Sequence, residues 1–203
     1  MEAAEWDQRY SSQELVWSVE PNRFVEAETA STPAGRALDV AAGEGRNSIW
    51  LATQGWRVTA VDFSQVGLEK GRRLAGQAGV ADRIEWVAAD LRSWTPEVGA
   101  YDLVVVAYLQ LPDEDLRPIL TRVAAGLAAG GKLVVIGHDR DNLERGVGGP
   151  QDPAVLYTPG ALRATLGGAG LRDVEAATVE RPTPNGTALD TLATAYQPEG
   201  SSK

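Results

Sequence analysis

Asp39, Asp62 and Asp90 each end or interrupt a short apolar run, and Gly43 and Gly45 stand between the first two. Arg36-Ala37-Leu38-Asp39-Val40 reads as a buried strand, and Ala41 to Gly45 as a tight turn. Glycine tolerates positive φ and carries no Cβ, so a ligand can lie against the backbone there. Asn47 and Ser48 lead into Ile49-Trp50-Leu51-Ala52, the start of a helix whose first N–H groups point toward the turn. Asp62 follows Gly43 by nineteen residues and closes Trp56-Arg57-Val58-Thr59-Ala60-Val61. A carboxylate at the tip of a second strand suits two ribose hydroxyls, which donate to it. Asp90 ends the third such run, Ile84 to Ala89. A dinucleotide fingerprint needs a third glycine where Ser48 stands, and a P-loop needs a Lys-Ser/Thr pair that is absent.

A second set of candidates lies further on. Leu103 to Val106 is β-branched and continuous, as a central parallel strand should be. It ends at Ala107-Tyr108-Leu109-Gln110, the edge where α/β sheets bind ligands, so Tyr108 and Gln110 are candidates to face a substrate. His138, the single histidine, comes just past the next strand. It reads as a general base or substrate ligand, or as a loop histidine bonded to Asp139 or Asp141. Arg140 is a further candidate, for an anionic substrate.

The elements that must position these residues follow from pattern. Glu2 to Arg9 and Val19 to Ala30 read as helices ahead of the first strand, the second with Pro21 near its start. Gly55 ends the helix after the glycine turn. Ser64 is the expected N-cap of a helix from Gln65 to Gln77. Asp113 is the expected cap of a helix to Ala128, with Leu116, Ile119, Leu120, Val123 and Leu127 as its core stripe. The fifth strand is expected from Lys132 to Gly137. The Gly/Pro-rich stretch from His138 to Pro153 reads as a long loop and a lid. Thr158-Pro159 opens a helix to Leu166, and Asp173 to Arg181 and Thr187 to Tyr196 form an antiparallel pair.

These motifs, in order and spacing over residues 36 to 137, resemble the class I S-adenosylmethionine (SAM)-dependent methyltransferases. Asp39 to Gly45 is similar to the family's first motif, Asp62 to its ribose acid, and Asp90-Leu91 to its adenine-edge motif. Tyr101 to Val106 is similar to its fourth strand, and Leu127 to Val135 to the turn into its fifth. Gly45-Arg46-Asn47-Ser48 also resembles the tellurite-resistance and thiol-methyltransferase-like branch. The resemblance implies a Rossmann-like, doubly wound α/β sheet of order 3-2-1-4-5-7-6. That sheet is mostly parallel with an antiparallel C-terminal edge pair and has helices on both faces. It implies an N-terminal helical cap over residues 1–30, a SAM-binding domain over 31–198 and a polar tail over 199–203. It implies cofactor contacts at Arg9, Tyr10, Trp17, Asp39, Ala41, Ala42, Gly43, Gly45, Asn47, Asp62, Phe63, Ser64, Asp90, Leu91, Ala107 and Gln110. Arg9 would sit at the cofactor's carboxylate and Trp17 near its sulfonium, where an aromatic face attracts a cation. Structural stapling is the other reading of the N-terminal aromatics.

The expected activity is methyl transfer from SAM to a small-molecule acceptor, leaving S-adenosylhomocysteine, with His138 and Tyr108 as candidate catalytic residues. Catalysis is expected to be mainly positional, because the cofactor carries the activation. A soft nucleophile needs no base; a hydroxyl or amine needs one, and His138 is the candidate. Trp6, Trp17, Tyr108 and Tyr157 suggest an aromatic lining and a small neutral or soft acceptor. Two other readings stay open: a catalytically silent SAM-binding module, and an NAD(P)-dependent oxidoreductase, against which Ser48 and Asp90 both count. The net charge of −9 disfavours a nucleic-acid partner. The absence of cysteine excludes disulfides, a thiolate metal site and a cysteine nucleophile. One histidine and scattered acids do not make a metal site. With no signal-like start and no membrane-length apolar run, a cytoplasmic monomer or homodimer is expected.

Overall fold

The computed structural model describes residues 3–12, 15, 16 and 18–200. It divides into two compact units, Met1–Thr95 and Pro96–Lys203. The first holds α1 (Ala3–Ser11), α2 (Arg23–Thr29), β1 (Arg36–Val40), α3 (Arg46–Thr53), β2 (Arg57–Asp62), α4 (Gln65–Gln77) and β3 (Ile84–Ala88). Its strands pair in parallel, with Asp39 beside Ala60 and Asp62 beside Ala88. The second holds β4 (Tyr101–Ala107), α5 (Asp113–Ala124), β5 (Leu127–His138), α6 (Asn142–Arg145), α7 (Pro159–Gly168), β6 (Arg172–Thr183) and β7 (Gly186–Tyr196). There β4 and β5 run parallel, and β7 is antiparallel to both β5 and β6. The strand order of the sheet is β3-β2-β1-β4-β5-β7-β6, the Rossmann-like order expected above.

The core follows from strand composition. Leu103 to Val106 on β4 and Leu133 to Ile136 on β5 are wholly buried, as strands covered on both faces must be. Each such side chain contributes about 1.5–3 kcal/mol on leaving water. The stripe Leu116, Ile119, Leu120 and Val123 of α5 is buried as its spacing requires. Ser64 caps α4 by accepting from the Gly67 N–H, and Thr158 caps α7 by accepting from Ala161.

Several boundaries differ from expectation for local reasons. α2 is short because Asn22 caps it, its side chain accepting from the Phe24 and Val25 N–H groups. α5 stops at Ala124, and Leu127 opens β5 opposite Tyr101. The register then jumps to Lys132 opposite Leu103, so residues 128–131 bulge, with Gly130 at φ +75°. The 138–153 stretch contains α6 and a 3₁₀ turn at Pro153–Val155. It is pinned at several points: Asn142 Nδ2 donates to Gly148 O (2.8 Å), Leu189 N–H donates to Asn142 Oδ1 (2.7 Å), and Val147 N–H donates to Thr187 O (3.2 Å).

Candidate functional site

In the first unit the glycine turn is built around two carboxylates. Ala41, Gly43 and Gly45 have φ of +58°, +57° and +77°. The left-handed backbone at Ala41 costs about 1–2 kcal/mol, a strain that tends to sit at functional turns. Gly43 N–H donates to Asp62 Oδ2 (2.9 Å) and Ser64 N–H donates to Asp62 Oδ1 (2.8 Å). Each Asp62 oxygen therefore carries one fixed donor and keeps acceptor capacity. Burial raises the Asp62 pKa, outweighing the N–H donors of Ser64, Gly43 and Phe63. The turn also closes on itself, with Gly45 N–H donating to Ala42 O (2.8 Å) and Ala42 N–H donating to Val61 O (3.0 Å).

Asp39 is buried beneath this turn. Ser48 Oγ donates to its Oδ2 (2.6 Å), while Oδ1 is buried with no hydrogen-bond partner among the described residues. Burial pushes the Asp39 pKa up to about 6, against the opposing pull of Ser48 and Arg46. Ser48, the residue that broke the dinucleotide fingerprint, is thus the partner Asp39 needs. A buried acceptor without a donor costs free energy, and an ammonium group at that place would relieve it. The acceptor set fits an adenosyl amino acid: a carboxylate for ribose hydroxyls at Asp62, an unpartnered oxygen at Asp39, and a turn without side chains at Gly43 and Gly45.

Gly45 also answers to packing. A Cβ there would lie 2.3 Å from Trp86 Cη2, and one at Gly71 would lie 2.5 Å from the same atom. Asn47 Oδ1 accepts from the Asn22 N–H (2.9 Å), tying α3 to the cap of α2. Glu44, between the two glycines, accepts from the Val16 N–H (3.0 Å) and pairs with Lys70 Nζ (3.3 Å), which also donates to Tyr10 O. Ser64 Oγ donates to Asp7 Oδ1 (2.5 Å). Sequence reasoning missed Asp7, Glu44 and Lys70 as the pins of the N-terminal segment. The signal for Glu44 was a carboxylate set between two turn glycines.

The other first-unit candidates are placed as follows. Arg9 is exposed with its guanidinium 4.9 Å from the Trp6 ring centroid. Tyr10 is buried, its ring 5.6 Å from that of Trp6. Trp17 lies outside the described residues. Phe63 is half-buried beside Asp62. Leu91 is buried, whereas Asp90 is gripped by the Arg92 fork at 2.8–3.1 Å, which holds its carboxyl below the usual range.

In the second unit, Tyr108, His138 and Arg181 converge on Asp190 of β7, whose side chain is wholly buried. Tyr108 Oη donates to Asp190 Oδ2 (2.8 Å), Arg181 Nε donates to the same oxygen (2.6 Å), and Arg181 Nη2 donates to Oδ1 (3.4 Å). His138 Nδ1 stands 3.3 Å from Oδ1, near enough for an ion pair but off the line of a hydrogen bond. Burial pushes the Asp190 pKa up, yet His138, Arg181 and Tyr108 together hold it below the ordinary value. Asp190 and Arg181 were missed. The available signal was a carboxylate inside the apolar run Ala188 to Leu192.

Ala107 and Gln110 flank Tyr108 and are half-buried. Tyr157, expected as lining, is core: its Oη donates to Leu109 O (2.6 Å) and its ring fills the space beside Gly137. Burial pushes its phenol above the ordinary range. Arg140 is exposed, and its guanidinium reaches Pro153 O. Neither Asp139 nor Asp141 is the partner of His138: Asp139 takes Thr178, Thr191 and the Asp141 N–H, and Asp141 takes Arg145. Among the described residues no group of histidines and acids is arranged to hold a metal, and no helix is long and apolar enough to cross a membrane.

Residues 37–131 match the family described as Methyltransferase domain. The chain is 36% identical over 121 residues to a demethylmenaquinone methyltransferase of Clavibacter sepedonicus, covering 59% of this chain and 46% of that protein. It is 31% identical over 140 residues to a trans-aconitate 2-methyltransferase of Azoarcus sp., covering 67% and 49%. The chain thus spans about half the length of the curated relatives it matches. Among solved structures, a SAM-dependent methyltransferase from Methanosarcina mazei superposes with a TM-score of 0.70 at 15% identity, covering 89% of this chain and 100% of that one. A protein studied for the conversion of a disulfide bond into a thioacetal group during echinomycin biosynthesis superposes at 0.76 with 19% identity, covering 98% and 93%. None of these supports the tellurite-resistance branch in particular.

Proposed function

We propose that this chain, which carries a class I SAM-dependent methyltransferase domain, transfers a methyl group from SAM to a small-molecule acceptor. The observation that carries the reading is the pair of carboxylates around the glycine turn, Asp62 with spare acceptor capacity and Asp39 with an open oxygen. When bound, the cofactor supplies a methyl group on a sulfonium, a good leaving group.

The chain's own residues do the remainder. Asp62 holds the ribose hydroxyls, and its two backbone donors keep the carboxylate in place before the ligand arrives. Asp39 Oδ1 takes the ammonium. Gly43 and Gly45 let the backbone approach closely. Asp90 and Leu91 serve the adenine edge, and Tyr10, Asn47, Phe63 and Ser64 shape the same turn. His138 and Tyr108 serve the acceptor. The main contribution to rate is positional: a nucleophile held in line at about 3–3.5 Å reacts as if at very high local concentration.

Two observations favour a small molecule. The net charge of −9 offers no footprint for a polyanion. The relatives named above act, by their names, on demethylmenaquinone and trans-aconitate. The experiment is incubation with SAM and a panel of phenols, amines, thiols and carboxylates, reading release of S-adenosylhomocysteine. Release that depends on one class of acceptor is expected. Cofactor binding without any release would leave the silent SAM-binding module instead.

A further inference from the structure

The strand order leaves β6 at one end of the sheet, with β7 on its inner side and no described strand on its outer side. A free edge offers unpaired N–H and C=O groups to strands of other chains. The register shows which groups those are. On β7, Leu189 O accepts from the Asp139 N–H (3.0 Å) and Thr187 O accepts from the Val147 N–H (3.2 Å), so both residues turn their backbone groups away from β6. Glu180 and Pro182 stand opposite Leu189 and Thr187. These are therefore non-hydrogen-bonded pairs, and the backbone groups of Glu180 and Pro182 face outward. The same alternation turns Thr178 and Ala176 outward, while Ala177, Val179 and Arg181 face β7. Three features close this edge. Pro182 has no N–H to offer. The Ala176 carbonyl accepts from Arg163 Nη2 of α7. Among the described residues no carboxylate pairs with Arg163, so its guanidinium is committed to that backbone oxygen. Beyond Ala176, Asp173 and Val174 stand against the single Ala195 of β7, a bulge in which Asp173 holds φ +52°. A bulge bends and twists its strand, so a straight partner cannot follow the edge past it.

We propose that Arg163, Pro182 and the Asp173 bulge form a guard on β6 that closes the sheet to a strand from a second copy of this chain. Two copies present the same edge, and antiparallel β6–β6 pairing about a two-fold axis is the association such an edge invites. Each register that such a pair could take meets the guard. Centred on Thr178, it sets Ala176 opposite Glu180 of the other copy and needs the carbonyl that Arg163 occupies. Centred on Glu180, it sets Thr178 opposite Pro182, which cannot donate. Centred between them on Val179, it sets Ala176 opposite Pro182 and meets both obstacles at once. The bulge stops any of these pairs from lengthening toward Arg172. A homodimer of this chain is then built on some other surface.

Residue-resolved amide hydrogen exchange of the nitrogen-15-labelled wild type reads the edge directly. The Ala177, Val179 and Arg181 amides are expected to exchange about 100-fold more slowly than those of Thr178 and Glu180. The fast pair is expected to stay fast as the protein concentration rises. The double variant Arg163→Met with Pro182→Val returns an acceptor and a donor to the edge, and neither change removes a bond of the β6–β7 ladder. It is expected to gain a concentration-dependent association step in sedimentation velocity that the wild type lacks, with the Thr178 and Glu180 amides slowed in the associated form. Wild-type Thr178 and Glu180 amides as slow as their neighbours, at any concentration, overturn the proposal, and that measurement needs no variant to fold. A folded double variant with no added association overturns it as well. Cofactor plays no part in either measurement, so the outcome stands apart from that of the methyltransferase reading.

Discussion

At the scale of single residues, Asp39 shows how one side chain serves both folding and binding. Its folded pKa of about 6 lies above the ordinary 3.8 because burial outweighs the help from Ser48 and Arg46. Between those values the native state binds more protons than the unfolded chain. The stability tied to the protonated group is fully present below pH 3.8 and is lost as pH rises through about 6. The difference corresponds to about 3 kcal/mol. Urea unfolding without cofactor at pH 4, 5, 6 and 7 is expected to show Asp39→Asn gaining stability on the wild type as pH rises, by up to that amount. An equal pH dependence in both proteins would mean that Asp39 ionises normally. Ser48→Ala should act in the opposite direction, costing about 1–2 kcal/mol by stripping the carboxylate of its donor. Asp39, Asp62 and the two glycines were legible because their chemistry depends on local spacing. Arg92, two residues from Asp90, was just as local and still went unread, since no pattern distinguishes a gripped carboxylate from an open one.

At the scale of elements, the first unit is fitted together at Trp86. Its ring lies against Gly45 at the start of α3 and Gly71 within α4, so both glycines are packing requirements. Gly71→Ala is expected to cost about 1–3 kcal/mol through overpacking, read as a lower unfolding midpoint in urea. Gly45→Ala should cost more, because it adds a left-handed backbone penalty to the same clash. If Gly71→Ala were neutral, Trp86 would have room to move that the packing denies it. The N-terminal segment is held by the buried Glu44–Lys70 pair. Lys70→Met is expected to cost about 3–5 kcal/mol by removing the cation that faces the buried Glu44 carboxylate. It should also speed proteolysis of the segment before Arg23 well beyond that of α4. Helix cores and strand centres were readable from their periods. Their ends were not: Asn22 shortens α2, and the 128–131 bulge lets β5 begin at Leu127.

At the scale of the whole molecule, the strands were legible as apolar runs, while their order came from the family resemblance and agrees with the observed sheet. The motifs from Asp39 to Val135 carried the fold and the resemblance, and the stretch that matches the methyltransferase domain spans 37–131. The Asp190 cluster was invisible for the converse reason. It joins Tyr108 to a residue 82 positions later and depends on the β5–β7 and β6–β7 registers, which no local pattern encodes. The central claim, a SAM site built on Asp39, the glycine turn and Asp62, is tested most directly by calorimetric titration. SAM, S-adenosylhomocysteine and NADH would each be titrated into the wild type and Asp62→Ala. The account predicts micromolar binding of SAM and its product, none of NADH, and loss of binding in Asp62→Ala while the variant still unfolds cooperatively. NADH binding without SAM binding, or SAM affinity unchanged in Asp62→Ala, would contradict it.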